Sequence, residues 1–163
     1  MVTASNLGSG KKVNVGQSFA NGMSALQTVE KEKIIAIIRG VPSEKLLPLA
    51  KALYEGGIRL LELTYSADKK MSDEETAENI KKLVNAFQGK MFIGAGSVVT
   101  ETQVELTKQA GGGFIISPDV YEPVIRRTRK LDMVSMPGAL TPTEIRAAVR
   151  AGADFVKLFP ISA

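Results

Sequence analysis

The sequence predicts an α/β protein of (β/α)8 TIM-barrel type that is truncated after its sixth strand. Three observations carry this expectation. Short apolar runs rich in Ile, Val, Leu and Phe recur along the chain, amphipathic stretches with helical spacing alternate with them, and polar or special residues stand at the C-terminal end of nearly every run. Strands alternating with helices through short links make a parallel sheet. In a barrel the C-terminal strand ends converge on one mouth. An open doubly wound sheet would concentrate them at a single switch point instead.

Taken in order, residues 1–22 are rich in Gly, Ser, Asn and Val without periodicity and read as a flexible extension outside the core. Residues 23–163 then form the partial barrel. Ser24 caps a short helix to about Glu32. Ile34–Arg39 is the first strand. The next helix opens with Ser43 as its cap and closes at Gly56-Gly57, with Pro48 expected to kink it or shift its start. Arg59–Tyr65 is the second strand, and Ser72-Asp73-Glu74-Glu75 is a capping box that opens a helix to about Phe87. Met91–Val98, Phe114–Ser117 and Met133–Pro137 follow as strands. Thr141-Pro142-Thr143-Glu144 repeats the capping box with Pro at the first helical position, and Ala151-Gly152 closes that helix. Phe155–Pro160 is the sixth strand. A closed barrel needs eight, so two unpaired edges are expected, and the chain reads as a fragment of a longer protein or as one completed by assembly.

Composition removes whole classes of chemistry. The 163 residues contain neither cysteine nor histidine. Disulfides, thiolate nucleophiles, Ser-His-Asp triads and His-ligated zinc are therefore out, and acid–base work falls to carboxylates, lysine, tyrosine or water. Hydrophobic content of 44% with a mean hydropathy of +0.04 fits one soluble domain, with no apolar run long enough to span a membrane and no secretory signal. The net charge of +4 comes from basic residues placed singly or in pairs among acids, and aromatics make up only 6%. That pattern describes solvated helix faces and not a nucleic-acid surface.

Two residues stand out. Lys157, in Phe155-Val156-Lys157-Leu158-Phe159-Pro160, shares a strand face with Phe155 and Phe159. Lysine is rarely buried unless paired or functional. Desolvation disfavours an ammonium relative to the neutral amine, and a neutral amine can attack a ketone to give an iminium that serves as an electron sink. The bland alternative is a buried stem whose head reaches water. Glu62 lies mid-strand on the face of Leu60 and Thr64, where a carboxylate is costly without a partner. An inward Lys157 would supply that partner, and the pair could equally be a structural ion pair. The glycines of Gly94-Ala95-Gly96-Ser97, Gly96 among them, either let backbone approach a ligand or make a tight turn. Ser117-Pro118 and Pro137-Gly138 read as turns first. Arg39 could hold an anionic substrate or lie on the surface.

Six segments appear in a familiar order: Ile35-Ala36-Ile37-Ile38-Arg39, Gly56-Gly57-Ile58-Arg59-Leu60-Leu61-Glu62-Leu63-Thr64, Gly94-Ala95-Gly96-Ser97-Val98, Ile116-Ser117-Pro118, Met136-Pro137-Gly138-Ala139-Leu140-Thr141-Pro142-Thr143-Glu144 and Val156-Lys157-Leu158-Phe159-Pro160. Together they resemble the 2-keto-3-deoxy-6-phosphogluconate / 4-hydroxy-2-oxoglutarate aldolase family from about Ser24 to Ala163. The resemblance implies that Lys157 is the Schiff-base lysine and Glu62 the proton-shuttling glutamate. It sets the hydroxyls of Thr64 and Ser97 near the substrate, the latter more usually a threonine in the family, and Pro118 and Phe159 around the pyruvyl pocket. It further implies a small 2-keto acid substrate, no cofactor or metal, a homotrimer and a cytoplasmic location. Ser66 stands where many members carry an arginine, and Lys69 or Lys70 are its candidate substitutes. The family's phosphate site lies on turns after strands seven and eight. Weighed beside this reading are a phosphosugar isomerase or epimerase on a similar barrel and a non-catalytic assembly module.

Overall fold

The computed structural model describes residues 2–3, 23–68 and 70–161. Its strands are β1 (Val2–Thr3), β2 (Ala36–Ile38), β3 (Leu60–Thr64), β4 (Phe92–Gly96), β5 (Phe114–Ser117), β6 (Val134–Ala139) and β7 (Phe155–Leu158). The helices are α1 (Ala25–Glu32), α2 (Ser43–Glu55), α3 (Asp73–Ala86), α4 (Glu101–Gln109), α5 (Glu122–Lys130) and α6 (Pro142–Ala151). From β2 to β7 each strand pairs in parallel with the next, with a helix in every crossover. The result is a half-barrel of six parallel strands. Of the two open edges expected, only that of β2 lacks a strand among the described residues. The β7 edge takes β1 as an antiparallel partner, with Val2 opposite Val156 and Thr3 opposite Phe155. A two-residue strand has no periodicity to read, so this part of the extension is invisible in the sequence. The rest of residues 1–22 lies outside the described residues.

The two faces of the sheet follow the period of two along each strand. Leu61, Leu63, Ile93, Ala95 and Ile115 point outward and pack with Leu46, Ala50, Ile80, Leu83 and Val104 of the helices. Leu60, Phe92, Phe114, Met136 and Phe155 point inward and pack with Ala25 and Val29 of α1. Helix α1 thus closes the N-terminal end of the half-barrel. Burial on both faces explains why the strands read as continuous apolar runs.

Local signals account for most helix ends. Ser24 with Gln27 and Thr141 with Glu144 form complete capping boxes, and Gly152 closes α6 in the left-handed region at φ 99°. Ser72 caps α3 through the Glu75 amide, but the reciprocal bond expected of a capping box is absent, because Glu75 faces Ser43 Oγ at 3.4 Å. Ser43 is likewise not the cap of α2. It lies inside the helix behind Pro42, and its hydroxyl accepts from Asn79 at 2.8 Å. Pro48 sits within α2 without shifting its start. Pro137 and Gly138, read as a turn, instead lie inside β6. Pro137 pairs with Ser117, and Gly138 leaves room for the Pro118 carbonyl, which any Cβ at 138 would overlap.

Candidate active site

Glu62 occupies the inward row of β3, with Leu60 toward the closed end and Thr64 toward the open one. It is 2% exposed, and its Oε2 has no hydrogen-bond partner. The register explains why it fits. Glu62 lies opposite Gly94, and Thr64 opposite Gly96. A Cβ at 96 would overlap Glu62 Oε1, and one at 94 would overlap the Phe114 ring. Burial raises the Glu62 pKa above its ordinary value, and the positive charges of Lys157 and Arg39 only partly oppose this. A carboxyl buried beside cationic groups in a cleft is a candidate for giving and taking a proton.

Lys157 is in register with Gly138 of β6 on the far side of the same cleft. It is half-buried, with Nζ 4.6 Å from the centroid of the Phe159 ring. The cleft has a volume of about 440 Å³ and opens at the C-terminal ends of the strands. Arg39, Ser97, Pro118 and Phe159 also line it. Arg39 Nη2 donates to Ser97 Oγ at 3.4 Å. Ser97 adopts φ 55°, a left-handed conformation that costs a non-glycine residue on the order of 1 kcal/mol and recurs at functional loops. Thr64 lines an adjoining cleft of about 500 Å³ that shares Arg39 and Ser97. Gly96 lines neither and serves as the flat surface against which Glu62 lies.

Several cleft residues escape a reading of the sequence. Tyr65, Asp73 and Gln103 line the cleft with the Lys157–Glu62 pair. The Tyr65 hydroxyl is turned away, 3.1 Å from the Gln103 carbonyl and 3.0 Å from Thr107 Oγ1. Burial pushes its pKa up to about 12. Ser66 donates to Asp68 Oδ1 at 2.5 Å, and Lys70 pairs with Asp68 Oδ2 at 2.8 Å. Lys70 is thus engaged by a neighbouring carboxylate, which makes it a poor substitute for an arginine at position 66. Lys69 lies outside the described residues. Among the described residues no group of three or more carboxylates could hold a metal ion, and no helix is long and apolar enough to cross a membrane.

Comparison with known proteins places the half-barrel in a family. The model of the KDPG and KHG aldolase family matches residues 26–163. A probable 2-dehydro-3-deoxy-6-phosphogalactonate aldolase of Rhizobium meliloti (strain 1021) is 39% identical over 79% of this chain and 58% of its own length. The 2-dehydro-3-deoxy-6-phosphogalactonate aldolase of Escherichia coli (strain K12) is 32% identical over 85% of this chain and 64% of its own. Among solved structures, native KDPGal superposes with a TM-score of 0.71 at 33% identity, covering 78% of this chain and 59% of that one. KDPG aldolase from Legionella pneumophila, with pyruvate captured as a covalent carbinolamine, superposes at 0.67 with 31% identity, covering 77% and 58%. The chain spans about three-fifths of the length of these relatives. On the strength of the shared half-barrel and the match over residues 26–163, the chain belongs to the KDPG and KHG aldolase family.

Proposed function

We propose that residues 23–163 carry the catalytic face of a class I aldolase, a lyase that reversibly cleaves a 2-keto acid to pyruvate and an aldehyde through a Schiff base at Lys157. The observation that carries this reading is the buried Glu62, with an unpartnered oxygen, in the same cleft as the only lysine on the inward face of the strand ends among the described residues. Neutral Lys157 adds to the C2 ketone, and loss of water leaves an iminium. Glu62 takes the C4 hydroxyl proton as the C3–C4 bond breaks, the bonding electrons pass into the iminium, and an enamine of pyruvate remains. The aldehyde departs. Glu62, now protonated, returns its proton to C3, and hydrolysis of the regenerated iminium releases pyruvate and frees the amine.

Arg39, Thr64 and Ser97 supply donors for the substrate's carboxylate and hydroxyls, while Pro118 and Phe159 shape the pyruvyl end. The substrate is 2-keto-3-deoxy-6-phosphogluconate-like or 4-hydroxy-2-oxoglutarate-like. The names of the relatives, aldolases of 2-dehydro-3-deoxy-6-phosphogalactonate and 2-dehydro-3-deoxy-phosphogluconate, support the sugar-acid class. A homotrimer acting in the cytoplasm without metal or cofactor completes the reading. The test is incubation with pyruvate and sodium borohydride, followed by mass spectrometry. A pyruvyl adduct on Lys157 that is absent from Lys157→Ala supports the mechanism; a folded wild-type chain that forms no adduct refutes it.

A further inference from the structure

Two loops wall the cleft on the side of Glu62. One, between β3 and α3, carries Ser66 and Ala67; the other, between β4 and α4, carries Ser97, Val99 and Thr100. Among the described residues, the Gln103 side chain links the second loop to the start of α3, where the first loop ends. Gln103, 7% exposed, accepts from the Val99 amide at 2.9 Å through Oε1 and donates through Nε2 to both Asp73 carboxylate oxygens at 3.1 and 3.2 Å. Its own amide donates to the cap Thr100 Oγ1 at 3.2 Å, and its carbonyl accepts from the Tyr65 hydroxyl at the end of β3. Every polar atom of the residue is thus committed to one of the two loops or to an element that anchors it. Val99 lies two residues beyond Ser97, whose left-handed backbone aims its hydroxyl at Arg39. Asp73 opens α3, directly after the loop that holds Ser66 and Lys70.

We infer that Gln103 is a positioning residue that sets the separation of these two loops and thereby the binding of the aldehyde-derived end of the substrate, while leaving Schiff-base formation at Lys157 untouched. The inference rests on the aldolase reading above. It assigns Gln103 no contact with reacting atoms. An amide is required because the side chain must accept from Val99 and donate to Asp73 at once. A carboxylate of the same shape could do only the first, and would set two acids against each other.

The test is the isosteric pair Gln103→Glu and Asp73→Asn/Gln103→Glu in the full chain. In the double variant the carboxylate introduced at position 103 still accepts from the Val99 amide. The carboxamide introduced at position 73 donates to that carboxylate, so the link is rebuilt with its polarity reversed. Pyruvate trapping on Lys157 and cleavage of 2-keto-3-deoxy-6-phosphogluconate and 4-hydroxy-2-oxoglutarate are measured on each protein. The expected result is a fall of about 10–100-fold in kcat/KM for Gln103→Glu, carried mainly by KM. Trapping should stay within about twofold of wild type, and the double variant should recover to within about threefold. Equal cleavage by Gln103→Glu and wild type overturns the role. So does a parallel loss of trapping and cleavage, which would mark Gln103 as a purely structural residue, or a double variant no better than the single one. Absence of the adduct or of cleavage in the wild-type chain would instead refute the aldolase reading on which the inference stands.

Discussion

Gly96→Ala is the substitution whose consequence follows most directly from the geometry. It adds one methyl group, and that group has nowhere to go: its position overlaps Oε1, Cδ and Cγ of Glu62 together. Either the carboxylate leaves the inward row or β4 moves away from β3, to which Thr64 and Gly96 are held in register. Overpacking of this kind costs about 1–3 kcal/mol, which for a domain of this size lowers the melting temperature by roughly 2–4 °C per kcal/mol. The chemical effect is larger than the thermal one. A proton-transfer group displaced by about 1 Å loses on the order of a hundredfold in rate, so Gly96→Ala should approach the defect of Glu62→Gln. Both would still form a borohydride-trappable adduct at Lys157. Calorimetry, adduct mass and cleavage rate on the same preparations separate these effects. Full activity in a folded Gly96→Ala protein would refute the claim that Gly96 holds the glutamate in place.

Other perturbations give equally direct readings. Burial raises the Glu62 pKa, so the protonated form is the one the fold favours. Glu62 therefore destabilises the fold progressively as pH rises above its ordinary value of 4.5, and Glu62→Gln, measured by chemical denaturation, should gain stability relative to wild type over that rise. A constant difference between about pH 4 and 8 would contradict the burial argument. Thr141→Ala removes the N-cap of α6 and half of its capping box and should cost about 1 kcal/mol by the same assay, with no change in adduct formation. Phe114→Ala empties the centre of the inward packing and should cost about 3–5 kcal/mol, enough to unfold a marginal chain outright.

How far the sequence can be read depends on the range of the interactions involved. Strand positions and most helix ends arise within a few residues, so the apolar runs and the Ser24 and Thr141 boxes are visible directly. The inward placement of Glu62 follows from its alternation with Leu60 and Thr64. What is not legible depends on partners distant along the chain. Gln103 meets Asp73 thirty residues away, and no local pattern marks either. Ser43 looks like a cap until Asn79 of the next helix takes its hydroxyl. Pro137-Gly138 has the composition of a turn, and only the approach of the Pro118 carbonyl explains a glycine inside a strand. Gly96 reads as room for a ligand's approach or as a tight turn, and only its register with β3 shows the glutamate's carboxyl lying against it.

The floor that α1 lays beneath Leu60, Phe92, Phe114 and Phe155 has a consequence for how such a chain can change over generations. The inward apolar cluster is gathered at one end of the strands, and the cleft opens at the other. A substitution among Ser66, Asp68 and Lys70 alters the mouth without touching that floor, so the mouth can change at little risk to folding. The two ends are coupled through β3, where Leu60 and Glu62 share the inward row, and through β7, where Phe155 and Lys157 do. A change of backbone position in either strand therefore reaches the floor and the cleft together.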